Sequence, residues 1–196
     1  MKRLTDIVIS LGSLLIFFPL FIVLGLMVKL DSLGPVFYRG IRVGKDEKPF
    51  RMIKFRTMVQ NADKIGGLST AADDSRLTKT GKFLKKYQLD ELPQLINVLK
   101  GEMSIVGPRP EVPFYVNMMT EEEKRVILSV RPGMTDWASL SNFHEGEILR
   151  GSSDPEKMYQ EKIRPEKIRL QIQYVKERNF LVDLKIIGQT LLKIFQ

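Results

Sequence analysis

From Ile7 to Val28 the chain carries no charged side chain, and basic residues flank this apolar run on both sides: Lys2 and Arg3 before it, Lys29, Arg39, Arg42 and Lys45 after it. As a straight helix the run would measure roughly 33 Å at about 1.5 Å per residue, just enough to cross a bilayer core. A cleaved signal peptide fits poorly, because the run is long for such a segment and no small-x-small site precedes Lys29-Leu30-Asp31. A spanning helix fits the length. Pro19 argues for a bend instead: it has no N–H, so it leaves the carbonyl of Leu15 without a helical partner. The flanking charges place both ends on the cytoplasmic side by the positive-inside rule. Together they favour a helix that enters the membrane, breaks at Pro19 and returns to the same face, with Ser10, Ser13 or a protein neighbour satisfying the opened backbone.

Beyond residue 30 the pattern shortens. Val36–Val43 and Phe50–Phe55 read as strands of a hairpin joined by the polar turn Gly44–Lys48. Residues 60–76, with Gly66-Gly67 and Asp73-Asp74, read as a loop able to close over a ligand. Thr120 and Glu123 form a capping box for a helix ending before Arg131-Pro132-Gly133. Asp154-Pro155 starts another helix and Pro165 a third, whose Ile168, Ile172 and Val175 recur at core spacing. Phe180, Leu184, Ile187, Leu191 and Ile194 share one stripe of a last helix, which either packs inward or lies among lipid headgroups. The fold class expected is α+β and mostly helical, divided into a membrane helix at 1–30 and a catalytic domain at 31–196 that carries the hairpin and interface helices.

Composition narrows the chemistry. The 196 residues suit one compact domain after the apolar segment, and the net charge of +8 implies attraction to an anion. The absence of cysteine excludes disulfides, thiolate catalysis and cysteine zinc sites. A single histidine, His144 in a polar loop-like stretch, makes a histidine metal site or a serine hydrolase a poor fit. Aromatic residues are few and lie mostly in apolar runs, and no RNA-binding signature is present, so nucleic acid is not an expected partner.

Two short stretches carry candidate chemistry: Leu89-Asp90-Glu91-Leu92-Pro93-Gln94 and Gly107-Pro108-Arg109-Pro110. If Asp90 caps a helix from Glu91 to Lys100, Pro93 falls in its first turn, where a missing N–H costs little. An Asp-Glu-x-Pro helix start needs no function at all. The functional reading is that the helix dipole favours an ionised carboxylate, that paired acids hold Mg²⁺, and that a carboxylate can attack phosphorus. Phosphoryl transfer also needs cations around the phosphate oxygens. Arg109, in a turn stiffened by two prolines, is one candidate; Lys54, Arg56, Arg76, Lys85 and Lys86 could add to the same field.

Read in order, Gly34-Pro35-Val36-Phe37-Tyr38, Arg42-Val43-Gly44, Lys54–Met58, Asp74–Gly81, Leu89–Gln94, Val106–Pro110 and Arg131–Thr135 resemble the bacterial sugar transferase family, the monotopic phosphoglycosyl transferases. With no multi-span region ahead of the domain, the chain is similar to the short members. The resemblance implies transfer of a sugar phosphate from a UDP-sugar to undecaprenyl phosphate, with release of UMP through a covalent phosphosugar. The nucleophile maps to Asp90, which would also hold Mg²⁺, and Glu91 is the second acid. Phosphate contacts fall to Lys54, Arg76, Lys85 and Arg109, and the membrane bend to Pro19. A re-entrant helix on the cytoplasmic face of the bacterial inner membrane, with downstream glycosyltransferases as partners, completes the expectation.

Three positions depart from the family pattern. Phe18 stands where serine often precedes the bend proline, and Lys85 stands where arginine is usual, giving a point charge in place of a fork. Thr135–Phe143 diverges from the relatives' usual run, so no binding role is carried onto it. A catalytically silent scaffold in a glycan assembly complex is the alternative reading, against which the retained Asp90-Glu91 pair and Arg109 speak.

Overall fold

The computed structural model of the chain describes residues 2–62 and 65–194, the side chain of Ile194 excepted. Helices α1 (Lys2–Ile16) and α2 (Phe18–Asp31) meet at Phe17 with a bend of 65°. The break falls two residues before Pro19, which sits in the first turn of α2 where no N–H is needed. The backbone stays paired up to it: Phe17 donates to Ser13 and accepts from Phe21, both at 2.9 Å. Ser10 does not serve the break; it is buried and its hydroxyl has no partner among the described residues. Neither helix alone is long and apolar enough to cross a membrane.

Both ends of the bent pair are fastened to the same body. Lys2 reaches Asp183 at 2.6 Å, Arg3 donates to the carbonyl of Leu99 at 2.8 Å, and the buried Asp6 carboxylate accepts from the Ser104 hydroxyl and the Ile105 N–H at 3.0 Å. At the other end Arg56 donates to the carbonyls of Ser32 and Leu33, closing the C-terminus of α2, while Asp31 accepts from the Thr80 N–H at 2.9 Å. Between these ties Val8, Leu11, Leu15, Ile16, Phe18, Ile22, Val23 and Leu26 stand exposed, a continuous apolar surface of the kind that marks a lipid or protein contact.

The expected hairpin forms from β1 (Phe37–Val43) and β2 (Pro49–Phe55), antiparallel, with Phe37 opposite Phe55 and Val43 opposite Pro49. Helices α3 (Lys79–Lys86) and α4 (Gln94–Lys100) follow. The buried Asn97 of α4 accepts from the Ile53 N–H at 2.9 Å and donates to the Arg51 carbonyl at 2.8 Å, so its amide completes the open edge of β2 as a neighbouring strand would. Strand β3 (Ser104–Val106) leads into α5 (Pro113–Asn117) and α6 (Glu121–Ile127), the latter opened by the Thr120–Glu123 capping box. Strand β4 (Gly133–Thr135) then pairs parallel with β3. Gly107 and Gly133 let the two backbones touch: a Cβ on Gly133 would lie 2.0 Å from the Gly107 nitrogen.

The rest is helical: α7 (Trp137–Ser141), α8 (Glu145–Ile148), α9 (Pro155–Met158), α10 (Arg164–Glu177) and α11 (Phe180–Ile194). Asp154 caps α9 as its position predicts. Pro165 does not begin an independent helix. A wide π turn over Tyr159–Ile163 carries α9 into α10, placing the proline in the first turn beyond it. Ile168 is buried as expected, but its neighbours on that face are Lys167, Gln171 and Tyr174, so half the buried stripe of α10 is polar. On α11 the fully buried residue is Ile186, one position off the expected stripe. Phe180, Leu184 and Leu191 are exposed, and Ile194 lies outside the described side chains.

Candidate active site

Asp90 owes its position to the leucines on either side of it. Leu89 and Leu92, three residues apart, turn the same way and pack against Leu24 and Val28 of α2, Phe55 of β2 and Leu84 of α3. The two acids between them therefore face away from α2. They do so on a 3₁₀ turn (Leu89–Glu91), entered through Gln88 in the left-handed region at φ 53°, and not on the first turn of an α-helix. The α-helix starts only after Pro93, so Asp90 is not its cap and its carboxylate remains available.

The turn opens onto a cleft of about 480 Å³. Lys54 of β2, Lys85 of α3 and Arg109 of the Gly107–Pro110 turn line it together with Asp90 and Glu91. Arg109 is placed by the β3–β4 pairing: Gly107 donates to Thr135 at 3.0 Å, Gly133 donates to Pro108 at 2.9 Å, and the buried Gln171 of α10 donates to the Arg109 carbonyl at 3.1 Å. The Arg109 guanidinium then grips Glu91 with both arms, one at 2.8 Å, and Lys54 binds the same carboxylate at 2.8 Å. Asp90 is left with a looser neighbour, Lys54 at 4.0 Å.

This asymmetry separates the two acids electrostatically. Burial alone would push Glu91 up, but Arg109 and Lys54 more than offset it and hold the carboxyl well below the usual range. Burial dominates at Asp90, with Glu91 adding repulsion, and raises its carboxyl above the ordinary aspartate value despite the pull of Lys54. Lys85 is pushed down to about 8 by burial and by the charge of Lys54, against the attraction of Asp90. Among the described residues no group of three or more His, Asp and Glu side chains could cage a metal. A divalent cation would have to rest on one carboxylate and complete its shell with substrate or water oxygens, as Mg²⁺ does at phosphoryl sites.

Two bases expected near phosphate are elsewhere. Arg76 does not line the cleft: it forks onto Asp74 at 3.0 and 2.7 Å and gives further N–H groups to the carbonyls of Ala62 and Gly67. Arg56 closes α2. The far wall contains residues that no motif marked. Lys167 is buried and paired with Glu111 at 2.6 Å, and Gln88 donates to the Phe143 carbonyl at 3.1 Å, tying the acidic turn to the divergent loop. The exposed His144 sits at the rim, its ring edge-to-face with Phe143. In that loop Asp136 is fully buried and caps α7 through Ser139 at 2.7 Å. The second half of the 60–76 loop does reach the cleft, through Leu68, Thr70 and Ala72; Asp63 and Lys64 lie outside the described residues. The grouping of Lys82, Lys85 and Lys86 along the cleft was legible in their helical spacing.

A basic cleft with one clamped and one unclamped carboxylate, set beside a bent apolar helix pair, belongs to the class of anion-handling sites that phosphoryl chemistry requires. The chain is more closely defined than that: it belongs to the bacterial sugar transferase family, whose model matches residues 1–196. It is 39% identical over 199 residues to the UDP-glucose:undecaprenyl-phosphate glucose-1-phosphate transferase of Escherichia coli K12, matching 100% of this chain and 40% of that protein. It is 40% identical over 141 residues to the UDP-N-acetylgalactosamine-undecaprenyl-phosphate N-acetylgalactosaminephosphotransferase of Aeromonas hydrophila, covering 71% of this chain and 33% of the relative. The exopolysaccharide production protein PSS of Rhizobium leguminosarum is 36% identical over 97% of this chain and 92% of its own length. The chain thus spans well under half of the first two relatives and nearly all of the third.

Proposed function

We propose that this chain transfers a sugar phosphate from a UDP-sugar to undecaprenyl phosphate, releasing UMP and leaving undecaprenyl-diphosphate-sugar, at the cytoplasmic face of the bacterial inner membrane. The names of its relatives support the substrate pair. The carrying observation is the unequal treatment of the two acids. Glu91 is immobilised by Arg109 and Lys54, whereas Asp90, buried beside the cleft, has no cation closer than Lys54 at 4.0 Å among the described residues. An oxygen of Asp90 attacks the β-phosphorus of the donor while the bond from that phosphorus to the bridging oxygen breaks, and UMP leaves with the electron pair. A phosphate oxygen of the acceptor then attacks the same phosphorus and returns the carboxylate. Glu91 keeps Arg109 and Lys54 pointed at the phosphoryl oxygens through both steps. Asp90 is also the residue that would hold Mg²⁺, and the ion would supply charge neutralisation at phosphate oxygens there.

The bent pair α1–α2 acts as a re-entrant anchor in this reading. Its support is that both outer ends are tied to one body while the apolar faces around Phe17 are exposed. Asp90→Asn, which keeps the shape and removes the charge, should reduce UMP release by roughly 10⁴-fold or more with folding and membrane extraction unaltered. Turnover at the wild-type rate in that variant, or donor-trapped enzyme with no phosphosugar on Asp90 by mass spectrometry, rejects the nucleophile.

A further inference from the structure

We infer that Lys82 and Lys86 of α3 form the landing site for the phosphate of the lipid acceptor, beside the exposed aromatic pair Phe83 and Tyr87. The inference rests on the transferase reading above and gives one of its two substrates its own wall of the cleft.

Helix α3 is the element that joins the bent anchor to the acidic turn. Its first turn is bonded to the end of α2 through Thr80 and Asp31, and Leu84 packs without exposure against Leu24 and Val28. At about 100° per residue, Lys85, Lys82 and Lys86 occupy an arc of roughly 100° on one side of this helix. Phe83 and Tyr87 come next around it, and Leu84 closes the circle against α2. All three lysines line the cleft, whereas Phe83 and Tyr87 are exposed and lie ring to ring at 5.2 Å. Passing around α3 from the cleft therefore leads from charge, through an aromatic pair of the kind that settles at a water–lipid boundary, to the membrane-type helix itself.

No carboxylate among the described residues is in direct contact with this wall, although Lys86 lies 5.4 Å over the Tyr87 ring and Asp90 attracts Lys85 from deeper in the cleft. Elsewhere along the cleft Lys54 and Arg109 share Glu91, Lys167 holds Glu111 and Arg150 holds Glu147. Among the described residues Lys82, Lys85 and Lys86 form no ion pair with a carboxylate. A terminal phosphomonoester carries a charge approaching −2 at neutral pH, whereas a phosphodiester headgroup carries −1. Two ammonium groups one helical turn apart, flanked by the Phe83–Tyr87 aromatic pair, match the monoester of a polyprenol phosphate better than the bulk lipids around it. Lys85, deeper in the cleft and nearer Asp90, takes the same phosphate as it advances to the reacting phosphorus. The donor is left with the opposite wall, where Arg42 and the paired cations stand.

The test uses the full chain in phospholipid nanodiscs. Equilibrium binding of undecaprenyl phosphate is measured for wild type and for K82Q/K86Q, with phosphatidylglycerol and inorganic phosphate as competitors, and KM is measured for each substrate. The double variant should bind undecaprenyl phosphate about tenfold more weakly and raise the acceptor KM to match, while the donor KM moves less than about twofold. Phosphatidylglycerol should compete poorly. Unchanged lipid affinity, an equal rise in both KM values, or competition by phosphatidylglycerol on a par with the monoester each overturns the assignment. If the wild type releases no UMP from any UDP-sugar, the transferase reading fails on its own, and the binding measurement still decides the fate of the lysine site.

Discussion

Two arginines of this chain form the same fork with a carboxylate and do different work. Arg76 and Asp74 are two residues apart in sequence, and the remaining N–H groups of Arg76 go to carbonyls of the 60–76 loop, so the pair closes on itself. Arg109 and Glu91 are eighteen residues apart, and the pair forms only when the β3 turn meets the end of the 3₁₀ turn. Its arginine side chain keeps 29% of its surface open, against 9% for Arg76. The chemistry of a basic residue depends on which of its donors the fold leaves unclaimed. A guanidinium whose remaining donors all meet carbonyls organises backbone, and one held by its acid alone can still face a ligand.

Exchanging the arginines for neutral residues tests that distinction most severely. Arg109→Ala should lower kcat/KM by roughly 100- to 1,000-fold, because the group lost is aimed where phosphoryl charge develops. Arg76→Ala should instead destabilise the fold by about 2 kcal/mol, by removing the buried donor of the half-buried Asp74 and of the Ala62 and Gly67 carbonyls, and should leave the folded fraction's turnover within a fewfold of wild type. Thermal melts and UMP release measured on both proteins separate the two outcomes. A larger catalytic loss in Arg76→Ala than in Arg109→Ala would invert the comparison.

The pH profile sharpens it further. Asp90 must be ionised to attack, and its raised carboxyl places the acid limb of kcat/KM above the range of an ordinary aspartate. Lys85 is protonated and useful below about 8 and loses its charge as pH rises through that value, which sets an alkaline limb. Arg109, a guanidinium, contributes no such limb. In Lys85→Arg the alkaline limb should vanish up to about pH 9.5, because arginine stays charged throughout. An unmoved limb assigns it to another group. The smallest expected effect is at Gln88: removing its bond to Phe143 in Gln88→Ala should raise the donor KM by about fivefold at most, the worth of one hydrogen bond.

Legibility in the sequence followed the range of the interactions. The hairpin, the Thr120–Glu123 box and the Asp154 cap are fixed by residues within a few positions of each other, and each forms where its pattern indicates. The stretches holding Asp90, Glu91, Lys54, Lys85 and Arg109 do meet in one cleft. Arg76 shows why positive charge alone is a poor site signal: an acid partner two residues away, Asp74, takes its fork. The α-helix begins later than the sequence predicts, because the left-handed Gln88 and the tight turn after it leave no hydrophobic signature. Asp6, beside an apolar run, gave no hint that it would be buried against Ser104 and Ile105, since β3 and β4 are three residues each and too short to show a period. Gln171 was hidden for a related reason: a polar residue on a core stripe is recognisable only once the carbonyl it serves is in place.

The ties at Lys2, Arg3 and Asp6 have a mechanical consequence. Asp6 clamps the strand that runs directly into the arginine turn, and Asp31 clamps the helix that runs toward the acidic one. A bent rod pinned at both tips to the stretches that carry Asp90 and Arg109 works as a wedge. Any load at its apex near Phe17 would spread or squeeze the jaws it supports, so that the 65° bend and the opening of the cleft are one mechanical variable.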